Sequence, residues 1–111
     1  ADILELVQTS RAKVAGFIST DDENMRNTLL SEISGNTQEV DRRTDTLLAD
    51  EATPAATKEK LQEFKTIWAE FVATRDGEMI PAAQAGDKEK AKSLGQTVQA
   101  ERLKKIQALL K

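Results

Sequence analysis

Apolar residues recur along this chain at alternating spacings of three and four, the period of a helix with one buried face. In the first stretch, about Asp2 to Ser19, the residues Ile3, Val7, Ser10, Val14 and Phe17 share one face, and Leu4, Arg11 and Ile18 form a second stripe. Ser19-Thr20-Asp21-Asp22-Glu23 interrupts the pattern. Thr20 followed three residues later by Glu23 reads as a capping box, in which each side chain accepts the other residue's free backbone N–H. A second helix then runs to about Asp50, with Met25, Leu29, Ile33, Asn36, Val40 and Leu47 inward and Leu30 and Leu48 beside them. Glu51 to Thr57 is loop-like. There Thr53 and Pro54 suit the N-cap and first position of a third helix, because proline lacks an N–H that this position does not use.

The third helix is predicted to reach about Ala85. Leu61, Phe64, Trp68, Phe71, Arg75 and Glu78 follow its heptad, flanked by Ile67, Val72 and Met79. Pro81 would meet the carbonyl of Gly77, so a bend is expected between Asp76 and Pro81. Gly86 suits the left-handed position just past a helix end, and Asp87 suits an N-cap. One turn therefore closes a helix and opens the next. The fourth helix is expected to run unbroken from Lys88 to the end, with Ala91, Leu94, Val98, Arg102 or Leu103, Ile106 and Leu110 inward. Two short breaks and one longer loop predict an all-α fold: an antiparallel up-down-up-down four-helix bundle, residues 1–111 forming one domain. Val14, Ile33, Val40, Leu61, Phe64, Trp68, Phe71 and Val98 are expected in its core. Both termini and the Thr53-Pro54 loop then share one end. At ~1.5 Å per residue helix one is shorter than the others at that end, as in a bundle cut from a longer chain.

Composition narrows the chemistry. Of 111 residues 32% are charged and 4% aromatic, and the net charge of −3 comes from interspersed signs. No basic stripe with interleaved aromatics is present, so nucleic acid is not an expected partner. The absence of Cys removes thiolate catalysis and sulfur-ligated metals, and the absence of His removes the commonest general base and metal ligand. There is no Tyr, no Gly-rich phosphate loop, no Glu-x-x-His and no Cys-x-x-Cys-His. Neither catalysis nor a cofactor is expected. Asp21, Asp22 and Glu23 cluster where a helix dipole already favours carboxylates, so no metal is expected there. Asn36 and Thr44 read as a polar layer that sets register. Lys88 to Lys92 and Arg102 to Lys105 read as solvated faces. No apolar run approaches 18 residues, and no signal peptide is visible.

Trp68-x-x-Phe71, then Ile80-Pro-Ala-Ala-Gln-Ala-Gly86-Asp87, then Ala91-x-x-Leu94, resembles the second hairpin of the four-helix-bundle sensor modules of bacterial methyl-accepting chemotaxis receptors. The resemblance implies an extracytoplasmic (periplasmic) sensor domain between two transmembrane helices, which would continue helix one upstream and helix four downstream. It implies a homodimer, here a parallel one built on helix one and its Leu4, Arg11 and Ile18 stripe. In the aspartate and serine receptors of this family, several arginines on helix one and polar groups at the start of helix four hold an amino acid. This chain carries Arg11 as the one arginine of its first helix.

Depth along the helices selects candidate ligand residues. Counted from the short breaks, Arg11, Arg75 and Thr97 lie at one level, about 15 Å from that end at ~1.5 Å per residue. Ser10 and Gln96 share the level, and Gly95 permits close approach. A guanidinium pair with hydroxyls and an amide suits the carboxylate of a small organic acid or amino acid. The same residues also fit a register-fixing polar layer, with Arg11 snorkelling over apolar surface and Arg75 paired with Glu78 or a carboxylate on a neighbouring helix. For the whole chain, the alternative to a ligand sensor is a structural or protein-interaction bundle.

Overall fold

The structure, a computed structural model, describes residues 2–111. Its elements are α1 (Ile3–Ser19), α2 (Glu23–Ala49), α3 (Ala55–Thr74), a π-helical turn (Arg75–Met79), α4 (Ile80–Gln84), α5 (Lys88–Gln96) and α6 (Val98–Leu110). The first two are single rods. The third rod is α3, the π turn and α4, and the fourth is α5 with α6. Together they form a four-helix bundle measuring 46 × 26 × 19 Å. Neighbouring rods run in opposite directions, since the partner's residue number falls as the other rises. Leu6 meets Asn36 and Lys13 meets Glu32 across the first pair, Asp45 meets Lys65 and Thr37 meets Arg75 across the second, and Phe71 meets Gln99 and Met79 meets Gly95 across the third.

The turns are set by local chemistry. Gly86 has φ +86°, a conformation that glycine enters without a Cβ clash, and Asp87 accepts the Lys90 N–H at the start of α5. The first break is capped differently from the expected box. Asp22, not Thr20, is the N-cap of α2, accepting the N–H groups of Asn24 and Met25, while the Thr20 hydroxyl accepts the Asp22 N–H. Asp22 wins because its carboxylate is the stronger acceptor for the free N–H groups of a first turn. At the third helix Pro54 itself takes the cap position and Ala55 is the first helical residue, one step later than the sequence suggested.

The interior has two apolar clusters. One holds Val7, Val40, Leu61, Phe64, Trp68, Phe71, Leu103 and Ile106, with Trp68 stacked between Phe64 and Phe71 at centroid distances of 6.1 and 5.4 Å. The other holds Val14, Phe17, Ile18, Ile33, Met79, Ala83 and Ala91 beside the short breaks. Ile18 is thus buried within its own bundle rather than left over as part of an outer stripe.

Expected core residues that prove exposed have physical causes. Met25 and Leu47 sit near the two ends of α2, where few neighbours cover them. Glu78 and Val98 are displaced by breaks in helical phase. On the third rod the buried series runs Leu61, Phe64, Trp68, Phe71, Arg75 and then Met79 and Ala83, leaving Glu78 exposed. The π turn, closed by the Ile80 N–H on the Arg75 carbonyl, absorbs the additional residue. It also answers the Pro81 problem: a proline lacking an N–H is accommodated where the α-helical bonding has already been re-spaced. On the fourth rod the inward series is Ala91, Gly95, Gln99, Leu103 and Ile106, and Val98 turns outward. There the helix breaks at Thr97, with φ −110° and ψ −87°, so the expected single unbroken helix is two.

Candidate functional site

The π turn and the Thr97 break lie at the same level of the bundle, where the two apolar clusters meet. Arg75 occupies the centre of this level and is 2% exposed. Its Nε and Nη2 donate to the two carboxylate oxygens of Asp76 at 2.8 and 3.2 Å, and its Nη1 donates to Ser10 Oγ at 3.3 Å and Thr37 Oγ1 at 2.9 Å. On an α-helix adjacent side chains do not face each other. Arg75 and Asp76, both within the π turn, nevertheless form a two-bond pair. The expected partner Glu78 is not used. Ser10 is fully buried as an acceptor on α1, so Arg75 ties the first, second and third rods together.

Gln99 extends this level into the fourth rod. It is buried; its Nε2 donates to the Phe71 carbonyl at 2.8 Å, and its Oε1 accepts from Arg102, which also donates to Thr74 Oγ1 at 2.6 Å. Asn36 adds a bond from Nδ2 to the Leu6 carbonyl at 2.9 Å. The polar-layer reading of Asn36 fits this geometry. Thr44 instead bonds the Val40 carbonyl on its own helix.

Against this layer, between α1 and the fourth rod, opens a cleft of about 310 Å³. Its floor is apolar, built from Val14, Ile18, Phe71, Met79, Ala91 and Leu103, and its rim carries Arg11, Lys92 and Gln96. Among the described residues, no carboxylate lines it. Among the described residues, neither Arg11 nor Lys92 makes an ion pair. Arg75 also borders the cleft, but Asp76 already neutralises its charge.

Of the five residues expected at a site, Arg11, Arg75 and Gln96 line this one cleft. Ser10 lies beneath it as Arg75's partner. Thr97 is exposed, lies outside the lining, and turns its hydroxyl onto the Ser93 carbonyl at 2.7 Å. Sequence reasoning missed Lys92, which sits among charges that read as a solvated face, and Gln99, which lies beside the expected core position Val98. The spacing of Lys92, Gln96 and Gln99 by four and then three is the signal that marks them as one helical stripe.

The end nearest the short breaks is pinned from several sides. Lys88 pairs with Asp21 at 2.8 Å and bonds the Ser19 carbonyl, and its hydrogen bond holds the Asp21 carboxyl below its usual range. Asp22 serves as a helix cap, so these acids are engaged in structure. Arg26 bonds the Thr20 and Ala83 carbonyls and lies 5.5 Å from the centre of the Phe17 ring. A wider groove of about 610 Å³ lies at the opposite end. Glu39 is the single acid that holds both Arg42 and Arg43, Lys60 and Lys111 also line the groove, and Asp2 places a carboxylate among them. Among the described residues, the smaller cleft differs in carrying rim cations over an apolar floor with no carboxylate in its lining.

Four antiparallel rods around one interior place the chain in the class of four-helix bundles. The model of one family, described as a four helix bundle sensory module for signal transduction, matches residues 1–111. The chain belongs to this family, the sensory modules of methyl-accepting chemotaxis proteins. No curated protein and no solved structure is matched at a significant level. In membrane chemoreceptors such modules typically lie outside the cytoplasm. Among the described residues, no helix is long and apolar enough to cross a membrane.

Proposed function

We propose that this module senses a small organic anion bound in the cleft between α1 and the fourth rod, and passes the signal across a membrane. The observation that carries this reading is the pairing of Arg11 and Lys92, cations without acidic partners, above an apolar floor. Ligand sites combine such a floor with a few placed polar groups, and a guanidinium offers a carboxylate a planar fork. In this reading the module is extracytoplasmic and works as a homodimer, with α1 and α6 leading to membrane helices.

A bound anion would touch α1 through Arg11 and the fourth rod through Lys92 and Gln96. Signalling then requires that this anion bind one arrangement of those rods more tightly than another, since only that inequality shifts their populations. The Thr97 break lies one residue beyond Gln96, at the point where the fourth rod can change direction. A thermal-shift screen of organic acids tests the proposal, since a ligand specific to the folded state raises apparent stability. A charge-assisted bond is worth about 1.5–3 kcal/mol, so Arg11→Ala should weaken the anion at least tenfold, measured by calorimetry. Lys104→Ala, toward the far end of α6, should leave affinity unchanged. A protein that takes up no organic acid would instead be a structural or protein-interaction bundle.

A further inference from the structure

We infer that the occupant of this cleft is an aromatic monocarboxylate of a single ring, and that an amino acid is excluded. The inference rests on the sensory reading of the cleft. Its first support is the charge of the lining. An amino acid brings an ammonium group with three donors, and these need acceptors. Among the described residues the cleft offers no carboxylate, only the neutral oxygens of Gln96 and Ser19, which do not balance a positive charge. Asp76 is outside the lining and is held by Arg75, and the Gln99 Oε1 is already engaged by Arg102. An ammonium would also lie beside Arg11 and Lys92, with like charges in contact and no counter-ion. A carboxylate at the rim meets only favourable charge.

The second support is the floor. Val14, Ile18, Phe71, Met79 and Leu103 present hydrocarbon and a thioether, which reward an apolar body and penalise a second charge laid across them. A dicarboxylate able to reach both rim cations would leave that surface covered by polar groups or by water. The third support is size. A cavity of about 310 Å³ falls at the low end of the ~300–1,000 Å³ range of small-molecule sites, room enough for one ring with its carboxylate.

Met79 forms the flexible wall of this space. A Cβ built on Gly95 would lie 3.3 Å from Met79 Cε, so the missing side chain of Gly95 is what lets the thioether pack back against α5. Sulfur at a ring edge is a favourable contact. Gly95 itself lines the cleft, so an added methyl there crowds Met79 Cε and takes up space in the cleft, while the rim cations stay in place.

Calorimetric titration of the protein with benzoate, acetate, succinate, aspartate and serine tests the inference, with circular dichroism confirming that each variant is folded. Benzoate should bind more tightly than the other four acids. Arg11→Ala should weaken benzoate at least tenfold. Gly95→Ala should weaken benzoate at least fivefold while leaving the melting temperature unchanged or raised. Tighter binding of aspartate, serine or succinate, with the same dependence on Arg11, would overturn the ligand class and leave the sensory reading standing. Benzoate binding that ignores Gly95→Ala would overturn the placement of the ring against Met79. Failure of all five acids would overturn the inference together with the reading beneath it.

Discussion

Arg75 shows how one side chain can serve the fold while bordering a site. Its charge is neutralised by Asp76, whose side chain is 53% exposed and stays hydrated, whereas the Ser10 acceptor is fully buried. Replacing Arg75 by Leu therefore leaves Asp76 in water but deprives Ser10 of its donor. An unsatisfied buried polar group costs about 1–3 kcal/mol, and Arg75→Leu should destabilise by about that much in urea unfolding. Adding Ser10→Ala should recover part of the loss, because residues in one network are non-additive; full additivity would show that the 3.3 Å contact carries no energy. At the surface, Arg42 and then Arg43 hold the Glu39 carboxyl down to about 2, from an ordinary value of 4.5. The folded-state pKa is lowered, so the stabilisation is complete above about pH 4.5 and is lost as pH falls through about 2. Glu39→Gln should melt below the parent at pH 7, and the gap should close in that acid window. High salt should shrink the gap at neutral pH, because the group is solvent-exposed.

At the scale of elements, the sequence was readable wherever a structure depends on near neighbours. Gly86 and Asp87 make their turn by local conformation and capping, and the structure keeps both. Gly86→Ala should cost about 1–2 kcal/mol, the penalty for a left-handed L-residue. Gly35→Ala, inside α2 with open space around its Cβ, should instead stabilise by about 0.5–1 kcal/mol. Chemical denaturation of the pair distinguishes conformational cost from crowding. Pro81 and Gly77 signalled an irregularity on the third rod, but neither the residue added there nor the break at Thr97 was readable, because a heptad count assumes a constant period. That assumption put Glu78 and Val98 inside and overlooked Gln99. In the structure three successive steps of four, from Phe71 to Ala83 and from Ala91 to Leu103, mark where each rod departs from it. The same departure explains why the expected residues scatter: a depth count along the rods named Arg11, Arg75 and Gln96, which line one cleft, but depth alone does not say which face Thr97 or Lys92 presents.

For the whole molecule, the buried polar layer divides the interior into two apolar halves and places the cleft at their boundary. Both rods that alter phase do so beside that boundary, so the mismatch is gathered in one place. The π turn then has a consequence for how the gene can tolerate change in length. It holds one residue more than an α-helical turn of the same span, so excising Gly77 should restore an ordinary helix. Trp68 and Phe71 would still face the fourth rod, and Ile80 and Ala83 would still face α1. Excising Ala69 instead would rotate everything on one side of the gap by about 100°, one residue's share of a 3.6-residue turn, and expose half the aromatic cluster. Circular dichroism should find the Gly77 deletion folded and cooperative, and the Ala69 deletion without a cooperative melt. In this chain, Gly77 marks a place where the reading of the bundle can lose one residue and stay in frame.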